Sequence, residues 1–479
     1  MSKFFKIILL FATIIVMFGC ERDYMYRGGA EGLYFSQDTV KFDTIFTTIG
    51  SATHHLKIYN PYGVDMTIEE IRLAGGDYSK FRLNINGFPE NSQEEIPLRG
   101  NDSLTIYIEI TIDPSENIAS FFAEDSIIFY TKERIQSVRL EAYIQDVIVI
   151  RQETIKENTT FKKDKPYLIF DYLLVDSLQT LTIEAGTRLH FYTQASLQVF
   201  GTLKVEGTKE EPVQFLGHRL EKQYADVSGQ WGYIHLRAGS KDHSINHAII
   251  RNSFYGIQVD SVGLDDSKPV EIMNTQLNFI SKHGLVAQTS AIVAENCVFG
   301  NCGGASVALT VGGKYEFYHS TIANYFKNNR FVSRSFPALV LSNYYFDENN
   351  KTVTSNLYSA SFYNCIISGS AQNELNIDLK KHELGVTNWE FNRSLIQTLA
   401  SKDSLTNNKH FKNIVLNEDV FFINPENANF QLDTLSAAKD KGDLNIVLSK
   451  ERLQKDILEI SRIEDLEPDL GAYERVERQ

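Results

Sequence analysis

Leu181-Thr-Ile-Glu-Ala-Gly-Thr-Arg-Leu-His-Phe191 alternates apolar and polar residues around a glycine, and Leu197-Gln-Val-Phe-Gly-Thr-Leu-Lys-Val-Glu-Gly207 repeats the pattern. A period of two marks strands with one covered face. Further along, His247-Ala-Ile-Ile-Arg-Asn252, Thr275-Gln-Leu-Asn-Phe-Ile280, Asn296-Cys-Val-Phe-Gly-Asn301, Ser320-Thr-Ile-Ala-Asn-Tyr325 and Asn364-Cys-Ile-Ile-Ser-Gly369 superimpose on one another. The aliphatic at the third place is Ile249, Leu277, Val298, Ile322 or Ile366, and these are the expected inward residues of the core. A second short strand follows the first three, at Ile257, at Leu285 and at Ser306, after a glycine turn.

Short strands recurring every 20 to 30 residues with no helical periodicity describe stacked coils, because one coil cannot bury its apolar side alone. On these residues the segment 166–475 resembles the right-handed parallel β-helix family, the pectate-lyase-like superfold. That resemblance implies a fold and leaves activity open, since the fold hosts unrelated functions. Residues 330–355, with Tyr344, Tyr345 and Phe346, read as an insertion in one coil, a place where such folds put binding surface. Asn429-Phe-Gln-Leu432 and Pro468-Asp-Leu-Gly-Ala-Tyr-Glu474 resemble the closing segment of exported β-helix proteins. A C-terminal cap is expected there, with a short helix within Ile446 to Ile460 lying over the end of the coils.

Residues 33–147 follow a different pattern. Val40–Ile45, His55–Tyr59, Ser103–Ile110, Ser126–Tyr130 and Val138–Ala142 alternate as strands, with Asn60-Pro-Tyr-Gly63 and Gly75-Gly-Asp77 as turns. This predicts a β-sandwich. Gly50-Ser51, Leu56-x-Ile58-x-Asn60, Ile68 and Ile71 resemble the immunoglobulin-like sandwich of the ASPM, SPD-2 and Hydin type, which implies an adhesive or scaffolding module. Residues 148–165 read as a charged linker. The whole chain is therefore expected to be all-β, a sandwich followed by a parallel β-helix.

The first residues predict export. Lys3 and Lys6 precede an apolar run from Ile7 to Phe18, which ends in Gly19-Cys20. This is a secretory signal over 1–19, too short for a comfortable membrane span. Met17-Phe-Gly-Cys20 resembles a bacterial lipobox, which implies that Cys20 is diacylated and anchors the chain through a tether over 20–32. Glu21 and Asp23 look like the acidic signal of surface lipoproteins. The expected location is the cell envelope, as an outer-membrane lipoprotein on the periplasmic or outer side.

The 479 residues carry a formal charge of −14, with a pI near 5.3. Nucleic acid is not an expected partner, since phosphate binding needs a basic face. Cys297, Cys302 and Cys365 remain after Cys20, and Cys297 and Cys365 hold the same place in their coils, as stacked buried thiols would. Cys297 and Cys302 have no second Cys or His cluster beside them, so no metal and no cofactor is expected.

No lyase or hydrolase motif stands out. Asp242, His243 and His247 are the weak catalytic candidates, with His235, Arg251, His283 and His319 nearby in sequence. Three or more of them meeting in one groove would favour a carbohydrate-active enzyme, and scatter would favour binding. Asn252, Asn274, Asn296, Asn301 and Asn364 are expected at turns or in stacked amide ladders. Trp231-Gly-Tyr233 resembles a structural element of β-helix coils. The function expected is non-enzymatic binding of a glycan or an envelope protein through the β-helix face, with Tyr344, Tyr345 and Phe346 as the contact residues. The alternatives are a polysaccharide lyase or glycoside hydrolase, and an envelope assembly factor.

Overall fold

The structure, a computed structural model, describes residues 32–476 except 48–50, 111–119, 265–266, 328–332, 335, 383–384, 402–404, 406–407 and 465–466. The signal segment, Cys20 and most of the tether lie outside the described residues. The chain divides into two compact units, 1–146 and 147–479.

The first unit is a β-sandwich. One sheet orders Tyr34–Phe35, His54–Tyr59, Ser103–Ile110 and Phe81–Ile85, and the other orders Thr39–Lys41, Ile135–Gln145, Phe121–Thr131, Met66–Leu73 and Ser92–Leu98, with Ile45–Phe46 also paired to Ile135–Gln145. Alternate residues face inward, so Leu56, Ile58, Ile106 and Ile108 meet Ile127, Phe129, Val138 and Leu140 in one core. Asn60 is buried at the predicted turn. Its amide donates to the carbonyls of Val64, Leu98 and Arg99 at 2.8 to 3.2 Å, supplying the backbone partners that the turn removes.

The second unit is a parallel β-helix with three flanks, all within one sheet of 26 strands. Flank A includes Thr202–Glu206, Ser244–Asn246, Val270–Met273 and Glu390–Asn392. Flank B includes Ala248–Arg251, Gln276–Asn278, Val298–Gly300, Thr321–Asn324 and Ile366–Gly369. Flank C includes Ser196–Val199, Ile234–Leu236, Ile257–Asp260, Leu339–Ser342 and Leu375–Asp378. Stretch 148–165 is no linker. Ile148–Ile155 pairs in parallel with Tyr167–Val175, and Thr159–Phe161 with Thr180–Glu184, because Ile150, Ile155 and Phe161 supply the first coil's share of the core.

The register also differs from the expected one. Ile250, Leu277, Phe299, Ile322 and Ile367 stack on one another and face inward, whereas Ile249, Val298 and Ile366 sit one residue off, in the outward row. Val307, rather than Ser306, likewise stacks on Leu285. From Ser244–Asn246 to Glu390–Asn392, each coil turns from flank A to flank B through one left-handed residue: His247, Asn274, Asn296, His319, Asn364 or Arg393, with φ between 43° and 54°. The residue after each turn points inward and is small, among them Thr275, Cys297, Ser320, Cys365 and Ser394, all fully buried. The stacked cysteines are therefore core residues, and burial pushes each of their thiols up to about 12. Elsewhere in the interior Phe317, Phe362, Phe391 and Phe411 form a column of parallel rings with centroids 4.6 to 5.4 Å apart. Trp231 is also internal. It stacks on Phe191 at 4.3 Å and donates from Nε1 to the Arg251 carbonyl at 2.7 Å.

The C-terminal cap lies along flank B and buries the outward row there. Val298, Ala323, Ile366 and Leu395 pack with Val420, Phe422, Phe430, Leu432, Ile457, Leu470 and Ala472 in a core of their own. Gly300 leaves room for the Phe430 ring, which a Cβ would meet at 2.5 Å. Of the expected 446–460 helix only 446–448 is α-helical, as the end of a short helix Leu444–Leu448 capped by the Asp443 carboxylate. Charged groups fasten this segment. Buried Arg462 donates to Asn296 Oδ1 and to the Lys455 carbonyl at 2.8 Å and faces Glu474 at 3.4 Å. The Asn364 side chain accepts from the Asp443 N–H at 2.9 Å.

This register predicts that Leu277→Asp lowers stability by several kcal/mol, on the order of 3–5, because it buries a carboxylate with no partner. Ile249→Asp should cost about 1 kcal/mol or less, since that side chain faces outward and is only half-buried. Thermal melts of the two variants check the assignment, and equal losses would contradict it.

Candidate functional site

The candidate catalytic residues are spread over the second unit. His243 is buried. Its Nδ1 accepts the Leu203 N–H at 3.1 Å and its Nε2 lies 2.9 Å from Ser240 Oγ, so both ring nitrogens serve the fold. Burial holds it at about 4, that is, neutral at ordinary pH. Asp242, beside it, is exposed at a left-handed turn. His247 stands at the corner between flanks A and B and lines a cleft of about 530 Å³ with Arg452, Lys455, Asp456 and Glu459. Its pKa is lowered by burial, against the opposing pull of Glu459.

The remaining candidates have separate partners. His235 is on flank C and pairs with Asp260 at 2.7 Å. Arg251 pairs with Asp226 at 2.6 Å and lies over the Phe279 ring. His283 Nδ1 accepts the Ala305 N–H at 2.9 Å, and fully buried His319 is held by the Asn364 amide at 2.8 Å. Of the asparagines, Asn274 and Asn296 form an amide ladder, Asn274 donating to Asn246 and Asn296 to Asn274, whereas Asn252 donates to the Ala225 and Val227 carbonyls and Asn301 to that of Pro425. Among the described residues no group of three or more His, Cys, Asp or Glu could hold a metal ion.

The predicted insertion is narrower than 330–355. Leu339–Ser342 is a flank C strand, and the excursion proper is an antiparallel hairpin in which Tyr344–Phe346 pairs with Thr352–Thr354. Its tip is closed by Asp347, whose carboxylate accepts the Asn349 and Lys351 N–H groups at 2.9 and 2.8 Å. The base is pinned to the next coil. Fully buried Asn343 exchanges two hydrogen bonds with the Lys380 backbone, donating at 2.9 Å and accepting at 2.8 Å. Tyr344 donates to Asp378 at 2.5 Å, and Lys380 completes the group, 3.1 Å from Asp378 and 4.9 Å above the Tyr344 ring. The Tyr344 hydroxyl and Lys380 hold the Asp378 carboxyl below its usual range.

Tyr345 and Phe346 are left outside, 47% and 58% exposed, with Tyr358 nearby in the chain and also exposed. The aromatic trio was visible in the sequence. Asp378 and Lys380 were not, because only the stacking of Leu375–Asp378 on Leu339–Ser342 brings them to the hairpin. From the hairpin base, flank C runs as a mixed face: one outward row holds Asp260, Gln288, Thr310, Ser342 and Asp378, and the row beside it holds Gln198, His235, Gln258 and Asn376 with Val286, Ala308 and Val340 between Gln258 and Asn376.

No protein-family model matches the chain, and no curated protein matches it. Among solved structures, the catalytic domain of a GH87 alpha-1,3-glucanase is similar over 80% of this chain and 92% of that one, at 9% identity and a TM-score of 0.18. A family 123 glycoside hydrolase from Clostridium perfringens aligns over 24% of this chain, at 9% identity and a TM-score of 0.18. The periplasmic chaperone SfaE aligns over 24% of this chain, at 12% identity and a TM-score of 0.18. This chain spans 26% of the length of that hydrolase and 58% of the chaperone. At such TM-scores these likenesses carry no functional argument.

Burial holds both His190 and His243 at about 4, against an ordinary value of 6.5. The unfolded chain takes up their protons as pH falls below about 6.5 and the folded chain does so only near 4. Stability is therefore lost over that window, by up to about 3 kcal/mol per histidine. NMR titration of His243 should give a midpoint far below 6.5, and His243→Gln should flatten part of the acid loss. A midpoint near 6.5 would contradict the buried, neutral assignment.

Proposed function

We propose that the protein is a lipid-anchored protein of the cell envelope that binds a glycan on flank C without cleaving it. The observation that carries this reading is the hairpin. Its base is locked by Asn343, Tyr344 and Asp378, and it holds Tyr345 and Phe346 out to solvent beside a face that carries the polar row Gln288, Thr310 and Ser342. Aromatic faces give a saccharide an apolar surface to stack on at little conformational cost, and fixed amide and hydroxyl groups orient its hydroxyls. Preorganised contact is the more economical design for capture, because less freedom is lost on binding. The dispersal of the His and Asp candidates supports binding over catalysis, since acid–base chemistry needs its groups within reach of one reacting bond.

The anchor is proposed on the N-terminal pattern alone: two lysines, an apolar run, and Gly19-Cys20. The acyl chains would be carried by Cys20, with the sandwich as an immunoglobulin-like spacer or docking module. A glycan of the cell's own envelope or of its surroundings is the expected ligand. An envelope protein docking on the same aromatics is the competing partner.

Replacing Tyr345 and Phe346 together by alanine should weaken glycan capture on an array by about 10- to 100-fold, as loss of stacking contacts would. The melting temperature should stay unchanged, because both side chains are exposed. Unaltered capture, or saccharide cleavage by the purified protein, would overturn the reading. Cys20→Ala should move the protein from the membrane to the soluble fraction and abolish labelling by a fatty acid. Persistent labelling would contradict lipidation at that residue.

A further inference from the structure

A second recess lies at the opposite edge of flank C. Where flank B turns into flank C, Ser368 and Gly369, Gln397 to Leu399, and Asn417 to Val420 enclose a cleft of about 560 Å³. That size lies within the range of small-ligand sites.

Its walls are fixed by hydrogen bonds from several coils. Gln397 Oε1 accepts from Ser368 Oγ at 3.0 Å and from the Gly369 N–H at 3.1 Å, while its amide donates to the Ala371 carbonyl at 2.7 Å. Asn417 Oδ1 accepts the Thr398 N–H at 2.8 Å, and Thr398 Oγ1 donates to Asn373 at 2.8 Å. Tyr325 closes the back, its hydroxyl 3.0 Å from Ser368 Oγ and its ring edge-on to Phe422.

The groups left to meet a ligand are the carboxylates of Glu418 and Asp419, the Gln372 amide, and an apolar lip at Leu399, which is 71% exposed. Among the described residues no lysine, arginine or histidine lines the cleft. Such a site accepts hydroxyl donors and repels anions, because a ligand carboxylate would meet two like charges with no cation between them.

The hairpin and this cleft flank the same two strands. Leu339–Ser342 leads into the hairpin, and Leu375–Asp378, which pairs with it, begins just after the turn beside the cleft. Four residues of strand separate the two edges, about 13 Å at a rise of 3.3 Å per residue. We propose that the cleft is the second contact of an extended, uncharged oligosaccharide that crosses flank C from the hairpin, an inference that rests on the reading of flank C as a glycan-binding face.

Calorimetric titration of the full chain tests this with neutral hexasaccharides of glucose, mannose and xylose, the matching disaccharides, and hexagalacturonate. At least one neutral hexasaccharide should bind 10-fold or more tightly than its disaccharide and than hexagalacturonate. Leu399→Asp, which replaces the apolar lip by a carboxylate at an exposed position, should reduce the hexasaccharide advantage several-fold without lowering the melting temperature. Glu418→Gln with Asp419→Asn should narrow the discrimination against hexagalacturonate. If the wild-type chain binds a hexasaccharide through Tyr345 and Phe346 and neither cleft variant alters affinity or discrimination, the cleft is overturned and the flank C reading stands. If the wild-type chain binds none of these saccharides, both fall.

Discussion

The second unit depends on one backbone constraint: from Ser244–Asn246 onward, every coil leaves flank A through a single left-handed residue at the same point of the turn. For a side chain other than glycine that conformation costs roughly 1 kcal/mol or more. Asparagine is the residue that tolerates it best, and asparagine or histidine fills most of these corners. Their side chains then add bonds along the stack, Asn296 to Asn274 and Asn274 to Asn246, and Asn364 to His319. Because the corners align, the residue that follows each one always points inward, which is why Thr275, Cys297, Ser320 and Cys365 are small. The C-terminal segment exploits the same column. Arg462 and Asp443 reach Asn296 and Asn364, so the corner that sets the coil register also anchors the lateral cap.

That coupling explains what the sequence revealed and what it hid. Alternation exposed the strands of both units, and the shared place of Cys297 and Cys365 exposed the buried column. The register was ambiguous because the deciding positions hold two adjacent apolar residues: Ile249 with Ile250, Val298 with Phe299, Ile366 with Ile367. An outward residue is usually polar. On flank B several are not, since Val298 and Ile366 are covered by Phe430, Leu470 and their neighbours from more than 50 residues downstream. Local pattern cannot report a cover that arrives from so far along the chain. The charged stretch 148–165 misled for the converse reason, because a first coil has only one neighbour to bury its strands and keeps its other residues polar.

The same distinction runs through the site. Tyr344, Tyr345 and Phe346 are contiguous and were legible as contact residues. Asp378 with Lys380, Gln397, and Glu418 come from three different coils and meet the rest of the site only through stacking. A solenoid builds broad surfaces in this way, one residue from each rung, and leaves no local motif to find. The histidines looked like chemistry in sequence, yet His243 and His319 are consumed by backbone and amide partners, and low pKa values follow from their burial rather than from a reacting group.

The central claim is that flank C, between the hairpin and the opposite corner, is where the molecule meets its ligand. The most direct measurement is a crystal structure of the full chain soaked with a saccharide that it retains. The account predicts an intact sugar chain lying across Leu339–Ser342 and Leu375–Asp378 and in contact with Tyr345 or Phe346. Density on flank A, density in the cleft beside His247, or a cleaved product would contradict it.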